Sequence, residues 1–524
     1  MVRNVPDAGG PMTAQYDETY DVVVVGSGAG AMAAAVTAAR NGLSTVVLEK
    51  TALLGGTSAY SGAAAWLPGS DVTRRAGSMD STESGRTYLR SLLGDAETER
   101  QEAYLEGAPA VVAELEAEPA IELVAQAFPD YFDAPGRVPG GRSIVPVPVP
   151  ADALPDGLAD LVRPVVDRDR AGLGHHPDQP LVGGRALIGR LLHAFHDNGG
   201  TVRTGTEMTE LVVADGRVVG VLTATADGPR RIGARRGVLL GSGGFERNQD
   251  LRTKYGVPGA AAWAMAPAAT NTGEPIAAAV AIGATTELMG EGWWCPGLVA
   301  PDGQAAFTLG FRGGIVVDQQ GRRFANESLP YDQMGRRLSA EPGRIPAWFV
   351  FDSRSDGVAP AITMPAAPVE EHLAAGTWVR ADTVAELAID TGLPAEELQA
   401  TLDRFNTFAA NGTDEDFGRG TDEYDRFFAV GDGPNPALVP LDRPPYYAAK
   451  LVLADLGTKG GLRTDVDARV LGADDRPLPG LYATGNASAS LSGACYPGPG
   501  VPIGTAMVFG WRAVQDMLRA ELAE

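Results

Sequence analysis

The apolar positions are densest in the stretch that opens at Asp21 and closes at Glu49. The four valines at 22–25 form an uninterrupted β-preferring run, which predicts a buried strand. Gly26-Ser27-Gly28-Ala29-Gly30-Ala31 follows directly, and the alanine-rich residues 31–40 suit a helix. Residues 44–48 return to an apolar β run that stops at Glu49. Strand, glycine turn, helix, strand and acid in this order predict a βαβ unit that holds a dinucleotide. Gly26 allows the tight turn, Gly28 lets the backbone approach a pyrophosphate, and Ala31 is small enough for close packing of helix on strand. Amide donors and the positive dipole end of the helix serve the phosphates. Glu49 lies about twenty residues on, where a carboxylate accepts from ribose hydroxyls. Glycine pairs also make ordinary turns, but here flanking strand, helix and acid agree.

The pattern after Glu49 extends this picture. Residues 50–62 contain Gly55-Gly56-Thr57-Ser58-Ala59-Tyr60-Ser61-Gly62, small and hydroxylated positions that let a backbone approach a flat ring system and hydrogen-bond to it. A nicotinamide-only enzyme has no need of this second loop, so FAD is the expected cofactor. Residues 201–213 and 217–221 predict paired strands, and Gly237 to Gly244 is a further apolar strand that runs into glycines. Residues 291–450 change texture, being rich in aromatics and prolines with a helical run near 383–410. The cofactor pattern resumes at Leu451 and includes Gly480 to Ala487, with a final helix from about Gly504 that points its N-terminus at the flavin. The expected fold is α/β. A Rossmann-like FAD-binding domain in two parts (1–290, with 1–19 a loose leader, and 451–524) surrounds an inserted α+β substrate domain at 291–450.

Composition excludes several classes. A formal charge of −23 over 524 residues disfavours nucleic acid and anionic membrane surfaces as partners. Cys295 and Cys495 are too few and too far apart for a disulfide framework or a metal site, which suggests a reducing, cytoplasmic setting. His193 and His196 share helical spacing but have no third ligand nearby, so no metal is expected. The uncharged stretch 22–39 is broken by the glycines of the βαβ unit and is not a membrane span. Residues 1–19 contain no apolar signal segment. Peripheral membrane contact through an apolar patch stays open.

Ordered motifs from about Tyr20 to Arg512 carry a specific resemblance: VVVGSGAG, LLGGTSAYSG, FPDYF, LVGGRALIGR, GVLLGSGGFERN, EGWWCPGL, RRFANESLPYDQMGR, DLGTKGGLRTD, LYATGNASAS and ACYPGPGVPIGTAMVFGWRA. On these the chain resembles the fumarate reductase-type flavoproteins and, within them, the 3-ketosteroid 1-dehydrogenases. The resemblance implies a 3-ketosteroid substrate that loses a proton from carbon 2 and a hydride from carbon 1 to flavin N5, with a quinone or, in vitro, a dye as electron acceptor. It implies that Tyr331 is the base and that Tyr131 hydrogen-bonds to Tyr331 and eases its ionisation. The Tyr496 hydroxyl and the Gly500 N–H would hold the 3-keto oxygen. With the glycine loops, it names Gly26, Ser27, Gly28, Ala29, Glu49, Lys50, Gly56, Thr57, Ser58, Ser61, Gly62, Gly243, Gly485, Asn486 and Ile503 for the cofactor.

These assignments make chemical sense, because a proton beside a ketone becomes acidic only when the enolate oxygen is stabilised. Each also has a plainer reading. The chain has 13 tyrosines, and a buried tyrosine is usually packing. Gly500 can serve only its turn, and Phe128, Trp293, Trp294, Phe307 and Phe311 are as well suited to a core as to a steroid pocket wall. Pro497 and Pro499 flank Gly498 where many relatives have alanine, glycine or asparagine, which stiffens the loop without changing the donor spacing. A 3-ketosteroid 4-(5α)-dehydrogenase is the second reading. Below it comes a fumarate reductase-like enzyme that clamps a dicarboxylate, for which only Arg312 and Arg463 stand out. A non-catalytic flavin carrier has no use for a large aromatic insertion.

Overall fold

A computed structural model describes residues 16–176 and 179–520, which divide into two compact units. The first comprises the chain up to Asn248, Ala266–Glu291 and the chain from Thr458. The second comprises Gln249–Met265 and Gly292–Gly457.

The first unit is organised by β1 (Glu18–Val25), α1 (Ala29–Arg40) and β2 (Thr45–Leu48), the unit expected from the valine run. Val22, Val23 and Val24 pair in parallel with Thr45, Val46 and Val47, and all six are buried. Strands β3 (Thr201–Arg203), β4 (Glu207–Ala214), β5 (Arg217–Ala224), β6 (Arg230–Leu240), β7 (Arg469–Leu471) and β8 (Pro477–Ala483) complete an eight-stranded sheet. Its spatial order is β7-β8-β6-β1-β2-β3, with β4 and β5 added as antiparallel partners beside β6. Of the expected loose leader, residues 1–15 lie outside the described residues, whereas Glu18 and Thr19 belong to β1. Pairing with Ile232 and Gly233 of β6 draws them into the sheet.

Helix α1 is buried on nearly every side, as its alanine-rich sequence allows. It crosses α3 (Val501–Arg519) closely enough that a Cβ on Gly30 would lie 2.6 Å from the Ala506 carbonyl oxygen. A Cβ on Gly510 would lie 2.4 Å from the Gly30 oxygen. On the strand side it is Gly241 that makes room for Ala31, since a Cβ there would meet the Ala31 Cβ at 2.7 Å. Helix α3 starts at Val501 rather than near Gly504, because Pro502 is tolerated in a first turn where its missing N–H has no helical partner.

The second unit contains a seven-stranded sheet that includes Gly292–Val299, Ala305–Leu309, Ala347–Asp352 and Tyr446–Thr458. The helical run near 383–410 is two helices, Val384–Thr391 and Ala395–Asn411. Thr383 and Glu386 form a capping box at the first start, and left-handed Gly392 followed by Pro394 ends one helix and begins the next. Their apolar faces supply Leu387, Leu398, Leu402 and Phe405 to the core against Ile315, Val350 and Ala448. Gln249–Met265 joins this unit through buried Arg252, whose Nη1 donates to Asp455 Oδ2 at 2.7 Å. Among the described residues no helix is long and apolar enough to cross a membrane.

Candidate active site

Gly26 leaves β1 at φ +95°, and a Cβ there would stand 2.5 Å from the Gly241 carbonyl oxygen, so only glycine fits. Gly28, the residue before α1, faces open space instead: a Cβ would touch only Ser58 Oγ, at 3.4 Å. Helix α1 has no acidic residue in its first turn and no side-chain cap from its own Ncap residue. Ser58 Oγ accepts from the Ala29 N–H at 3.1 Å. Glu49, at the end of β2, is buried and pre-oriented. Its Oε2 accepts from Ser27 Oγ at 2.6 Å, and its Oε1 accepts from the N–H and the hydroxyl of Thr51, both at 2.9 Å. Oε2, which accepts from a single donor, keeps acceptor capacity for a ribose hydroxyl. Lys50 reaches Thr272 Oγ1 at 2.7 Å and sits beside Glu274 at 3.6 Å.

The second loop folds into α2 (Gly56–Tyr60), again without a side-chain cap or an acid in its first turn. Cβ atoms on Gly56 or Gly62 would meet nothing within 4 Å. Ser61 is spent within the loop, donating to the Ser58 carbonyl and accepting from the Ala63 N–H. Thr57 Oγ1 accepts from Asn271 Nδ2 at 3.3 Å, and Asn271 also donates to Glu246. Gly243 has φ +77° under the same Asn271. Beside it the Ser242 hydroxyl is buried without a hydrogen-bond partner among the described residues, although nothing in the sequence distinguishes Ser242 from its glycine neighbours. Gly485 and Asn486 form a 3-10 turn at the end of β8, and Ile503 lies in the first turn of α3. Open glycine cradles, helix starts without an acidic first turn, an oriented acid and a buried hydroxyl without a partner among the described residues together fit the dinucleotide and ring system of FAD.

The Tyr-Pro-Gly-Pro-Gly loop leads into α3. Gly500 has φ +90°, and a Cβ would lie 2.2 Å from the Ala64 oxygen. Its N–H makes no hydrogen bond to another described residue. The loop is held almost entirely by its carbonyls. Lys459 Nζ donates to Ala494 and Cys495, the Tyr131 N–H and the Tyr88 hydroxyl donate to Pro497, Ser143 donates to Pro499, and the Trp66 N–H donates to Gly500. The rings of Tyr131 and Tyr496 meet edge to face with centroids 5.2 Å apart, and both side chains are buried. Tyr131, Tyr496 and Gly500 are therefore gathered in the first unit.

Behind them lies a group that sequence patterns do not signal. Arg142, fully buried, donates to Asp130 Oδ2 through Nε and Nη2 at 3.1 and 2.9 Å, and to Asp80 Oδ1 through Nη1 at 3.0 Å. The Trp66 indole N–H donates to Asp130 Oδ1 at 2.7 Å. Burial pushes the Asp80 carboxyl up against the pull of Arg142, and burial likewise holds the Tyr88 hydroxyl well above the ordinary phenol range. A Cβ on Gly498 would lie 2.5 Å from the Trp66 indole nitrogen, so the loop is seated directly on this group.

Tyr331 is carried by the second unit, where it opens the helix Tyr331–Ser339 after Pro330. Its ring stands at 88° to Phe307 with centroids 5.0 Å apart, and the helix lies so close to the strand Gly292–Val299 that a Cβ on Gly335 would be 2.7 Å from Trp294 Cβ. Trp293, Trp294 and Phe311 are buried in this unit.

The other candidates do not assemble. Arg463 pairs with Asp475 at 2.7 Å, and Arg312 is an exposed residue of the second unit. His193 faces Asp197, and no group able to hold a metal ion occurs among the described residues. Cys295 is buried, and burial raises its thiol well above the usual range.

The FAD binding domain family matches the chain over residues 21–503. The 3-oxosteroid 1-dehydrogenase of Mycolicibacterium smegmatis is 41% identical, with 95% of this chain and 97% of that protein covered. Its counterpart from Rhodococcus opacus is 43% identical over 95% and 98%. The 4-oxocyclohexanecarboxylate 2-dehydrogenase of Sinomonas cyclohexanicum is 37% identical over 94% and 92%. Among solved structures, the 3-ketosteroid Δ1-dehydrogenase of Sterolibacterium denitrificans in complex with 1,4-androstadiene-3,17-dione superposes with a TM-score of 0.88. It is 35% identical and covers 96% of this chain and 100% of that one. The chain belongs to the 3-oxosteroid 1-dehydrogenase family of FAD-dependent oxidoreductases.

Proposed function

We propose that this protein desaturates the first ring of a 3-ketosteroid between carbons 1 and 2, converting a 3-oxo-4-ene into a 1,4-diene. The observation that carries the reading is the open N–H of Gly500, held at a left-handed Ncap by the Ala64 backbone beside Tyr496. An open N–H and a phenol on one tied loop suit an oxygen that gains negative charge. Removal of one such donor typically costs about 100- to 1,000-fold in rate.

In this reading Tyr496 and Gly500 bind the 3-keto oxygen and strengthen their hydrogen bonds as the enolate forms. Tyr331 takes the proton from carbon 2, and Tyr131 hydrogen-bonds to Tyr331 and shares the charge of its phenolate. A phenolate is a stronger base than a carboxylate, and a phenol partner brings no formal charge into an apolar site. FAD, when bound, supplies the acceptor for the hydride from carbon 1. Gly26, Gly28 and the start of α1 hold the pyrophosphate, Glu49 the ribose, and residues 56–62, 242–243 and 485–486 border the ring system.

The test is anaerobic mixing with androst-4-ene-3,17-dione. The reading expects flavin bleaching and a product two mass units lighter. The Sinomonas relatives, 37% and 34% identical and named for 4-oxocyclohexanecarboxylate and 4-oxocyclohex-2-ene-1-carboxylate, favour a monocyclic ring ketone as the second reading. Bleaching by 4-oxocyclohexanecarboxylate without bleaching by the steroid would select it.

A further inference from the structure

Lys459 follows the strand Tyr446–Thr458 and is 1% exposed. Its backbone is pinned. The Lys459 N–H donates to the Glu291 carbonyl at 2.9 Å, its own carbonyl accepts from Ser490 at 3.1 Å, and a Cβ on the following Gly460 would lie 2.4 Å from Met289 Cα. From this anchored backbone the side chain reaches the 494–496 turn. There Nζ donates to the Ala494 and Cys495 carbonyls at 3.0 and 2.8 Å and lies 5.8 Å from the centroid of the Tyr496 ring.

We propose that Lys459 is a positioning and polarising residue for the carbonyl-binding pair, acting through Tyr496, and this rests on the role of Tyr496 in the reading above. Two effects follow from the geometry. The ammonium fixes the two carbonyls immediately before Tyr496, so the phenol enters the loop from an anchored backbone. A cation within about 6 Å of an aromatic ring interacts with its π face. In a water-poor site, where charge is weakly screened, it also draws electron density from the phenol and makes its O–H a stronger donor. Both effects grow in value as the bound ketone oxygen becomes an enolate, so they act on the reaction more than on binding.

Three variants separate the effects. Lys459→Gln keeps N–H donors for the two carbonyls but removes the charge, Lys459→Arg keeps the charge, and Lys459→Met removes both. Each is assayed for FAD content, kcat and KM with androst-4-ene-3,17-dione, and for the 3-keto stretching band of bound 1,4-androstadiene-3,17-dione by difference Raman, with the 17-keto band as internal reference. Lys459→Gln is expected to retain FAD, lose about 10- to 100-fold in kcat with less than about 3-fold change in KM, and move the 3-keto band toward its value in free solution, in keeping with loss of one polarising interaction. Lys459→Arg is expected to restore the band position. A Lys459→Gln enzyme with unchanged band and kcat overturns the proposal, as does one that loses kcat with the band unmoved, because that marks a purely structural lysine. If wild type accepts 4-oxocyclohexanecarboxylate and not the steroid, the substrate assignment fails while the same band comparison on that ketone still judges Lys459. A wild type that binds neither ketone contradicts both.

Discussion

At Gly500 backbone conformation and chemistry coincide. The left-handed φ and the Ala64 carbonyl exclude any side chain, and the N–H makes no hydrogen bond to another described residue. Gly500→Ala is expected to keep FAD and lose about 100-fold or more in kcat, checked by flavin content and steady-state turnover. Tyr331→Phe removes only a hydroxyl, so it is expected to fold and bind flavin normally while nearly all turnover disappears. Normal turnover in stopped-flow flavin reduction would rule out Tyr331 as the base. Both residues were singled out through their motifs, since phenols and glycines in fixed order carry the family resemblance. Ser242 and Lys459 were not legible, because a lone serine among glycines or a lone lysine after a strand gives no periodic or spacing signal. Only the fold brings each into contact with a functional segment.

The triad of Asp80, Arg142 and Asp130 shows what local elements contribute. It joins three chain segments, and through Trp66 and the Tyr131 backbone it holds the 497–500 loop. Asp130→Ala strips Arg142 of its two-point partner inside the protein, and breaking a buried pair typically costs about 3–5 kcal/mol. A clear fall in melting temperature is expected, and an unchanged one would show that the triad bears little on stability. In the second unit burial works to raise the Asp414 carboxyl, but hydrogen bonds and charge from Arg323 and the backbone N–H groups of Arg419 and Asp416 outweigh it and hold it low. A carboxylate depressed in the folded state contributes stability that is fully present above its unfolded value, about 3.9, and is lost as pH falls through the folded value. Asp414→Asn should therefore melt lower than wild type at pH 7, with the gap closing below about pH 4. A gap independent of pH would contradict this. Helix boundaries were less legible than strands here: the run near 383–410 keeps its apolar period across Gly392 and Pro394, yet those two residues divide it.

Across the whole chain, the βαβ unit was fully legible because each of its residue types has one physical purpose. Val22 to Val24 can only be buried, Gly26 can only turn, and Glu49 stands at the strand end that the pattern requires. The excursion of Gln249–Met265 into the second unit was not legible. It is tied there by long-range partners, the Arg252–Asp455 ion pair and the Met265 N–H that donates to the Asp455 carbonyl, and no local pattern records such partners. The central claim concerns the molecule as a whole: a flavoprotein of this family that removes two hydrogens from a steroid ketone. Anaerobic absorbance spectroscopy with androst-4-ene-3,17-dione, followed by mass analysis of the steroid, tests it most directly. The account predicts loss of the oxidised flavin bands and a cross-conjugated dienone two mass units lighter than its precursor. Bound flavin that stays oxidised in the presence of the steroid would contradict it.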